Sequence, residues 1–198
     1  MTPTFSAVVL AAGRSTRMGT DKAMLPIAGQ PAWARQRHVL REAGASEIFL
    51  SARADQRWVT EPAVTAHFKA VVWDGVPDCG PIGGIAAVLA QAAYPYLAVL
   101  AIDLPAMEAS WFKLLLAGAD AGGGVGVVGQ RDGHFEPLAA LYPRELDPLV
   151  GRAFAAGEHS LQRLLRAAVA RGLMRVVEIA PEQAGMFANR NEPPGASS

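Results

Sequence analysis

The sequence predicts an α/β fold: a mostly parallel sheet with helices on both faces and an antiparallel β-ribbon. Three observations predict it. Short apolar runs rich in Val, Ile, Leu and Ala alternate along the chain with stretches whose apolar residues recur at helical spacing. Gly or Pro punctuates most junctions between them. Late in the chain, two extended runs flank the turn Gln130–Arg131–Asp132–Gly133 without an intervening helix, which predicts the ribbon.

Phe5–Leu10 reads as a buried strand. After a long loop, Pro31–Ala43 reads as a helix, with Pro31 suited to a first turn and Gly44 to a C-cap. Glu47–Ala52 is a second strand, and a short helix follows Asp55. Ala70–Trp73 is a third, short strand. Pro81–Ala93 carries Ile82, Ile85, Val88 and Leu89 on one helical face. Tyr96–Ile102 is an apolar strand that runs into Asp103. Glu108–Ala117 is an amphipathic helix with Trp111, Leu114 and Leu115 expected inward. Gly122–Gly124 breaks the pattern, and Val125–Val128 and Phe135–Leu141 form the expected ribbon. Helices near Pro143–Ala156 and Ser160–Arg171 follow, with Ser160 as N-cap, then a strand at Met174–Ile179. Residues 1–192 are expected to make one domain, and 193–198, rich in Pro, Gly and Ser, a disordered tail.

Composition narrows the class. Of the 198 residues 51% are hydrophobic and 18% charged, which fits a packed domain and not a disordered chain. Net charge is zero, which argues against a general nucleic-acid binder. One cysteine, Cys79, leaves neither an internal disulfide nor a Cys-based zinc site. His38, His67, His134 and His159 have no metal-like spacing. No apolar run approaches the roughly 20 residues of a membrane helix, and the start has no basic region of the kind a signal peptide needs. A cytoplasmic protein acting on a small anionic ligand, with no membrane or nucleic-acid partner, is the expectation.

Ligands of parallel α/β sheets bind beyond the carboxyl ends of the strands. That rule selects three places. The first is Ala11–Lys22, where small residues let backbone N–H groups approach an anion while Arg14, Arg17 and Lys22 supply charge for a polyphosphate. It lacks both the Gly-Lys-Ser/Thr closure of a P-loop and the Gly-x-Gly-x-x-Gly spacing of a dinucleotide fingerprint. Arg17 and Lys22 would neutralise charge growing on departing β- and γ-phosphates. The second is Asp74–Ile85, dense in Gly and Pro. Asp74 could accept from a guanine edge, hold a ribose, or cap a local turn. The third is Asp103, at the end of an apolar strand and followed by Leu104–Pro105. It fits Mg²⁺, which takes one or two carboxylates plus phosphate oxygens and water, or else caps a helix. Arg53 follows the second strand and reaches either a base pocket or solvent. A second substrate could dock at His134–Phe135–Glu136–Pro137, and Asn189 and Asn191 are further candidates. The tryptophans read as core or half-buried packing, and Cys79 as a packed small residue.

Taken in order, these blocks resemble the molybdenum cofactor guanylyltransferases. Leu10–Ala11–Ala12–Gly13–x–Ser15–x–Arg17–Met18–Gly19–x–Asp21–Lys22 is similar to that family's nucleotide loop. The segment Asp74…Gly80–Pro81–Ile82–x–Gly84 resembles its next motif, and Ile102–Asp103–Leu104–Pro105 its metal-binding strand end. Glu136–Pro137–Leu138–x–Ala140–Leu141–Tyr142 and Phe187–x–Asn189–x–Asn191–x–Pro193 look like its later blocks. The five cover nearly the full chain.

The resemblance implies a single-domain Rossmann-like nucleotidyltransferase fold. It implies Mg²⁺ as cofactor, GTP and molybdopterin as substrates, and pyrophosphate as a product. By position, Leu10, Ala11, Ala12 and Gly13 would line the nucleotide, Lys22 hold its phosphates, Asp74 contact the nucleoside and Asp103 bind the metal. Proteins that deliver or receive the cofactor would be partners. The chain departs from the family in two places: Ala12, where Leu-Ala-Gly-Gly is common, and Arg53, where asparagine is common. Related cytidylyltransferases often open with Leu-Ala-Ala-Gly, so CTP stays open as the nucleotide, although Asp21–Lys22 and the Asp74 block favour GTP. A sugar-phosphate nucleotidyltransferase and a non-catalytic GTP-binding regulator also stay open.

Overall fold

A computed structural model describes residues 3–13, 21–73, 79–119 and 124–189. It opens with strand β1 (Phe5–Leu10), the two-residue strands β2 (Pro26–Ile27) and β3 (Gln30–Pro31), and helix α1 (Ala32–Glu42). Then come β4 (Glu47–Ala52), α2 (Pro62–Thr65), β5 (Val71–Trp73), α3 (Pro81–Leu89), β6 (Tyr96–Ala101) and α4 (Ala109–Gly118). The last part holds β7 (Gly126–Arg131), β8 (His134–Phe135), β9 (Ala139–Pro143), α5 (Asp147–Ala155), α6 (Leu161–Ala170) and β10 (Met174–Glu178). Short 3-10 segments cover Lys22–Met24, Arg57–Thr60, Arg144–Leu146 and Pro181–Phe187.

The main sheet has the order β10-β7-β9-β6-β1-β4-β5, with β8 beside β7. β1 lies parallel between β4 and β6, and β5 extends the parallel block at one edge. Every residue of β1 and β6 is buried, because helices cover both sheet faces. Alternate β1 residues serve the two cores. Phe5, Ala7 and Val9 join the layer of α1, α2 and α4, whereas Val8 and Leu10 join that of α3, α5 and α6. The polar exception is Ser6, whose Oγ donates to Glu47 Oε1 at 2.7 Å and accepts from Tyr94 N at 3.3 Å, tying β1 to β4 at the amino end of the strands.

The expected ribbon forms in an altered arrangement. The turn falls one residue later, at Asp132 and Gly133, both with positive φ (51° and 75°), as a two-residue type I′ hairpin turn requires. Phe135–Leu141 is not one strand. β8 pairs with β7, then the chain crosses at Glu136–Leu138 and β9 inserts antiparallel between β6 and β7. Pro137 sits at the switch and lacks the N–H a ladder needs. Gln162 of α6 fixes the short β8 by accepting from Phe135 N and donating to Phe135 O.

Two packing expectations fail. Leu114 is 41% exposed, since Trp111, Phe112 and Leu115 fill the inner face of α4. Trp73 is 44% exposed at the end of edge strand β5, whereas Trp33, Trp58 and Trp111 are buried. Ser160 caps α6 as expected, accepting from Arg163 N. The tail 193–198 and Asn191 lie outside the described residues.

Candidate active site

Three parallel strands deliver their ends to one edge. β1 leads into Ala11, Ala12 and Gly13; β4 leads into Arg53; β6 leads into Asp103. Cross-strand bonds continue past the strands: Ala11 N donates to Ser51 O at 2.8 Å, and Ile102 N to Leu10 O at 3.0 Å. Leu10 and Ala11 are buried, Ala12 half-buried and Gly13 exposed, so the path out of β1 opens progressively to solvent. Arg14, Arg17 and Asp74 lie outside the described residues.

The chain on either side of residues 14–20 is held by the segment after β4. Asp21 accepts three bonds: from Ala23 N at 3.0 Å, Gln56 Nε2 at 2.7 Å and Trp58 Nε1 at 2.8 Å. Gln56, only 4% exposed, also donates to Ala11 O at 2.9 Å and accepts from Arg53 N at 2.6 Å. Arg53 Nη1 donates to Ala12 O at 2.6 Å and Gly13 O at 2.7 Å, while its Nε bonds Asp55. The Arg53 side chain is therefore committed to loop carbonyls and to its neighbour. Asp21 acts as an N-cap that turns the chain at Lys22, with its charge neutralised by aimed donors. Sequence reasoning missed Gln56 altogether. A glutamine after a strand carries no local signal, and the partners Asp21 and Ala11 that it holds lie 35 and 45 residues away.

Asp103 sits in a turn braced from two sides. Gln36, on the inner face of α1 and fully buried, donates its two amide hydrogens to Ala101 O at 3.0 Å and Leu104 O at 2.7 Å. Arg35 Nη2 donates to Met107 O at 2.9 Å. From the β9 side, Ala101 N donates to Leu138 O at 2.9 Å, which sets the Glu136–Leu138 crossover next to this turn. Burial raises the Asp103 pKa; the charge of Lys22 and a backbone N–H bond pull it the other way. Asp103 Oδ1 is buried and has no hydrogen-bond partner among the described residues. Such an atom needs a ligand to compensate its lost hydration. The helix-cap alternative does not hold, because Glu108 occupies the N-cap position of α4.

A hard cation suits that oxygen. Among the described residues no three His, Cys, Asp or Glu side chains cluster as a metal cage. One carboxylate, with phosphate oxygens and water completing the shell, is the pattern of Mg²⁺ and not of a structural zinc. Glu136, half-buried, has its pKa raised by burial and lowered by Arg131 and His134. Asn189 is exposed. Cys79 is buried as a packed residue. Among the described residues no helix is long and apolar enough to cross a membrane.

Helix α3 approaches the same edge unusually closely. A Cβ placed on Gly84 would overlap Ser51 Oγ and come within 3.2 Å of Leu10 Cδ2. Glycine at 84 thus lets α3 rest directly on the ends of β1 and β4.

Known proteins are similar over most of the chain. The model of the MobA-like NTP transferase domain matches residues 7–173. A probable molybdenum cofactor guanylyltransferase of Opitutus terrae is 41% identical over 191 residues, covering 95% of this chain and 91% of that protein. A molybdenum cofactor guanylyltransferase of Pseudomonas putida is 34% identical over 170 residues, covering 84% and 85%. Among solved structures, the molybdopterin-guanine dinucleotide biosynthesis protein A of Archaeoglobus fulgidus superposes with a TM-score of 0.71 at 20% identity, covering 95% of this chain and 93% of that one. A nucleotidyl transferase of Methanothermobacter thermautotroptrophicus gives a TM-score of 0.72, also at 20% identity, covering 94% and 91%. At that identity the structures speak for the fold alone.

Proposed function

Because the chain belongs to the family of MobA-like NTP transferase domains, we propose that it transfers GMP from GTP to the phosphate of molybdenum-bearing molybdopterin, releasing pyrophosphate. One observation carries the reading. A carboxylate whose buried oxygen has no partner among the described residues, Asp103, lies near enough to Lys22 to feel its charge, at the carboxyl edge where β1 hands over to a loop of small residues. Guanylyl transfer is the activity named for the relatives that are 41% and 34% identical.

The chemistry asks little covalent work of the protein. A phosphate oxygen of molybdopterin bonds to the α-phosphorus of GTP, and the bond from that phosphorus to the bridging oxygen of the β-phosphate breaks. The nucleophile is already an anion, so no general base is needed. Lys22 balances charge on the departing pyrophosphate, and Arg17 joins it on the evidence of sequence position. Leu10, Ala11, Ala12 and Gly13 offer a narrow path past which the nucleotide lies, and Asp74 contacts the nucleoside. Asp103 would hold Mg²⁺, which when bound supplies positive charge for the phosphates. Arg53 and Gln56 keep the loop entrance in place through its carbonyls. Glu136 and the crossover beside the Asp103 turn border the side from which the second substrate approaches. Protein partners that deliver or accept the cofactor, and a cytoplasmic site of action, belong to the same reading.

The test supplies Mg²⁺ and molybdenum-loaded molybdopterin, offers each nucleoside triphosphate separately, and measures pyrophosphate. Release with GTP alone is expected. Release with CTP alone would move the protein to cytidylyl transfer, and release with none would refute the activity. Lys22→Ala and Asp103→Ala should each lower turnover by roughly a hundredfold or more, the scale of removing one charge-stabilising group. Turnover near wild type would remove that residue from the mechanism.

A further inference from the structure

Gln36 is out of place by pattern. It sits in α1 among the buried residues Ala32, Trp33, Val39 and Leu40, a face that otherwise takes apolar side chains. It is 0% exposed, and its Oε1 has no hydrogen-bond partner among the described residues. An apolar residue of the same shape would avoid that orphaned oxygen. What the amide supplies is its nitrogen. Two acceptors, Ala101 O at 3.0 Å and Leu104 O at 2.7 Å, require the NH₂ group there and so settle which end of the amide faces the turn. Those carbonyls flank Ile102 and Asp103 on either side. With Ile102 N held by Leu10 O, the backbone that carries the Asp103 carboxylate is pinned before, within and after the turn.

We propose that Gln36 is a positioning residue for Asp103: it clamps the carbonyls bracketing the turn, and so sets how tightly the carboxylate takes a divalent cation. The inference rests on the reading of Asp103 as the cation ligand. Gln36 reaches the ligand's backbone and not the ligand itself, the arrangement by which outer groups orient a coordinating side chain. The Asp103 Oδ1 is buried and has no partner among the described residues, so its position is set by the turn that carries it. Removal of such outer support typically weakens metal affinity ten- to a hundredfold.

The experiment measures Mn²⁺ binding by electron paramagnetic resonance in the presence of GTP, beside Mg²⁺ titrations of pyrophosphate release. Gln36→Met keeps length and removes both donors. It should weaken Mn²⁺ binding about tenfold or more and raise the Mg²⁺ concentration for half-maximal turnover in parallel, with turnover at saturating metal falling less. Gln36→Glu keeps the shape and at most one donor, and carries the test if the Met variant does not fold; weakened Mn²⁺ binding is expected there too. A folded variant of either kind with wild-type Mn²⁺ affinity overturns the proposal, even if it melts earlier. Asp103→Asn separates the two ideas. If it leaves Mn²⁺ binding unchanged, the reading of the site fails. If it weakens binding while the Gln36 variants do not, only the role of Gln36 fails.

Discussion

Gly84→Ala isolates the contact that seats α3 against the site. In a free helix this change gains about 1 kcal/mol of propensity. Here the new methyl would overlap Ser51 Oγ and stand 3.2 Å from both Ser51 Cβ and Leu10 Cδ2. Ser51 lies on β4 and Leu10 on β1, in the middle of the parallel block, so neither backbone can retreat. Overpacking of this kind costs about 1–3 kcal/mol, and one outright overlap with two further tight contacts puts this site in the upper half of that range. The net expectation is destabilisation by about 1–2 kcal/mol, or roughly 2–8 °C in melting temperature for a domain of this size. The cycle with Ser51→Ala sharpens the case. The Ser51 hydroxyl is buried and has no partner among the described residues, so its removal alone should be close to neutral. In the double variant the closest collision is gone and only the 3.2 Å approaches remain, so about half of the loss should return. Urea unfolding followed by circular dichroism supplies the four free energies, and the KM for GTP reports whether Leu10 has moved. A Gly84→Ala protein as stable as wild type would refute the reasoning, as would additivity within about 0.3 kcal/mol.

Two further outcomes are expected. In Asp21→Asn, whichever way the amide turns, its NH₂ meets N–H donors at Ala23 or at Gln56 and Trp58. Bonds to a charged acceptor are worth about 1.5–3 kcal/mol each. Unfolding should therefore come about 2–4 kcal/mol more easily, with turnover reduced because Lys22 follows Asp21; wild-type urea stability would show that the network carries no weight. The Asp103 carboxyl, with its pKa raised by burial, weakens the fold as pH rises through its folded pKa and costs nothing below its unfolded value, about 4. In EDTA, Asp103→Asn should thus melt above wild type at pH 7, with the gap closing as pH falls towards 4. Melting curves across pH 3.5–8 check it, and a gap that widens on acidification contradicts it.

The elements themselves were legible because their signals are local. The bounds of β1 and β4 follow from apolar runs ended by Gly or polar residues, and α6 from its Ser160 cap. The placement of Ala11–Gly13 and Asp103 at one edge follows from the rule that parallel strands share a carboxyl end. The ribbon was only half legible. Asp132–Gly133 announces a turn, but nothing nearby tells Ala139–Pro143 to enter the sheet between β7 and β6.

What the chain alone determined was the alternation of strand and helix, and with it which residue types arrive at the carboxyl edge of the parallel strands. What tertiary structure decided was their support. Gln36 and Leu104 are 68 residues apart, Arg53 and Ala12 are 41 apart, and Gln56 and Asp21 are 35 apart. Periodicity, capping and turn chemistry act over a dozen residues or fewer. A buried amide finds its carbonyls only after the crossovers have brought distant strands side by side, where unpaired polar groups can no longer turn to water.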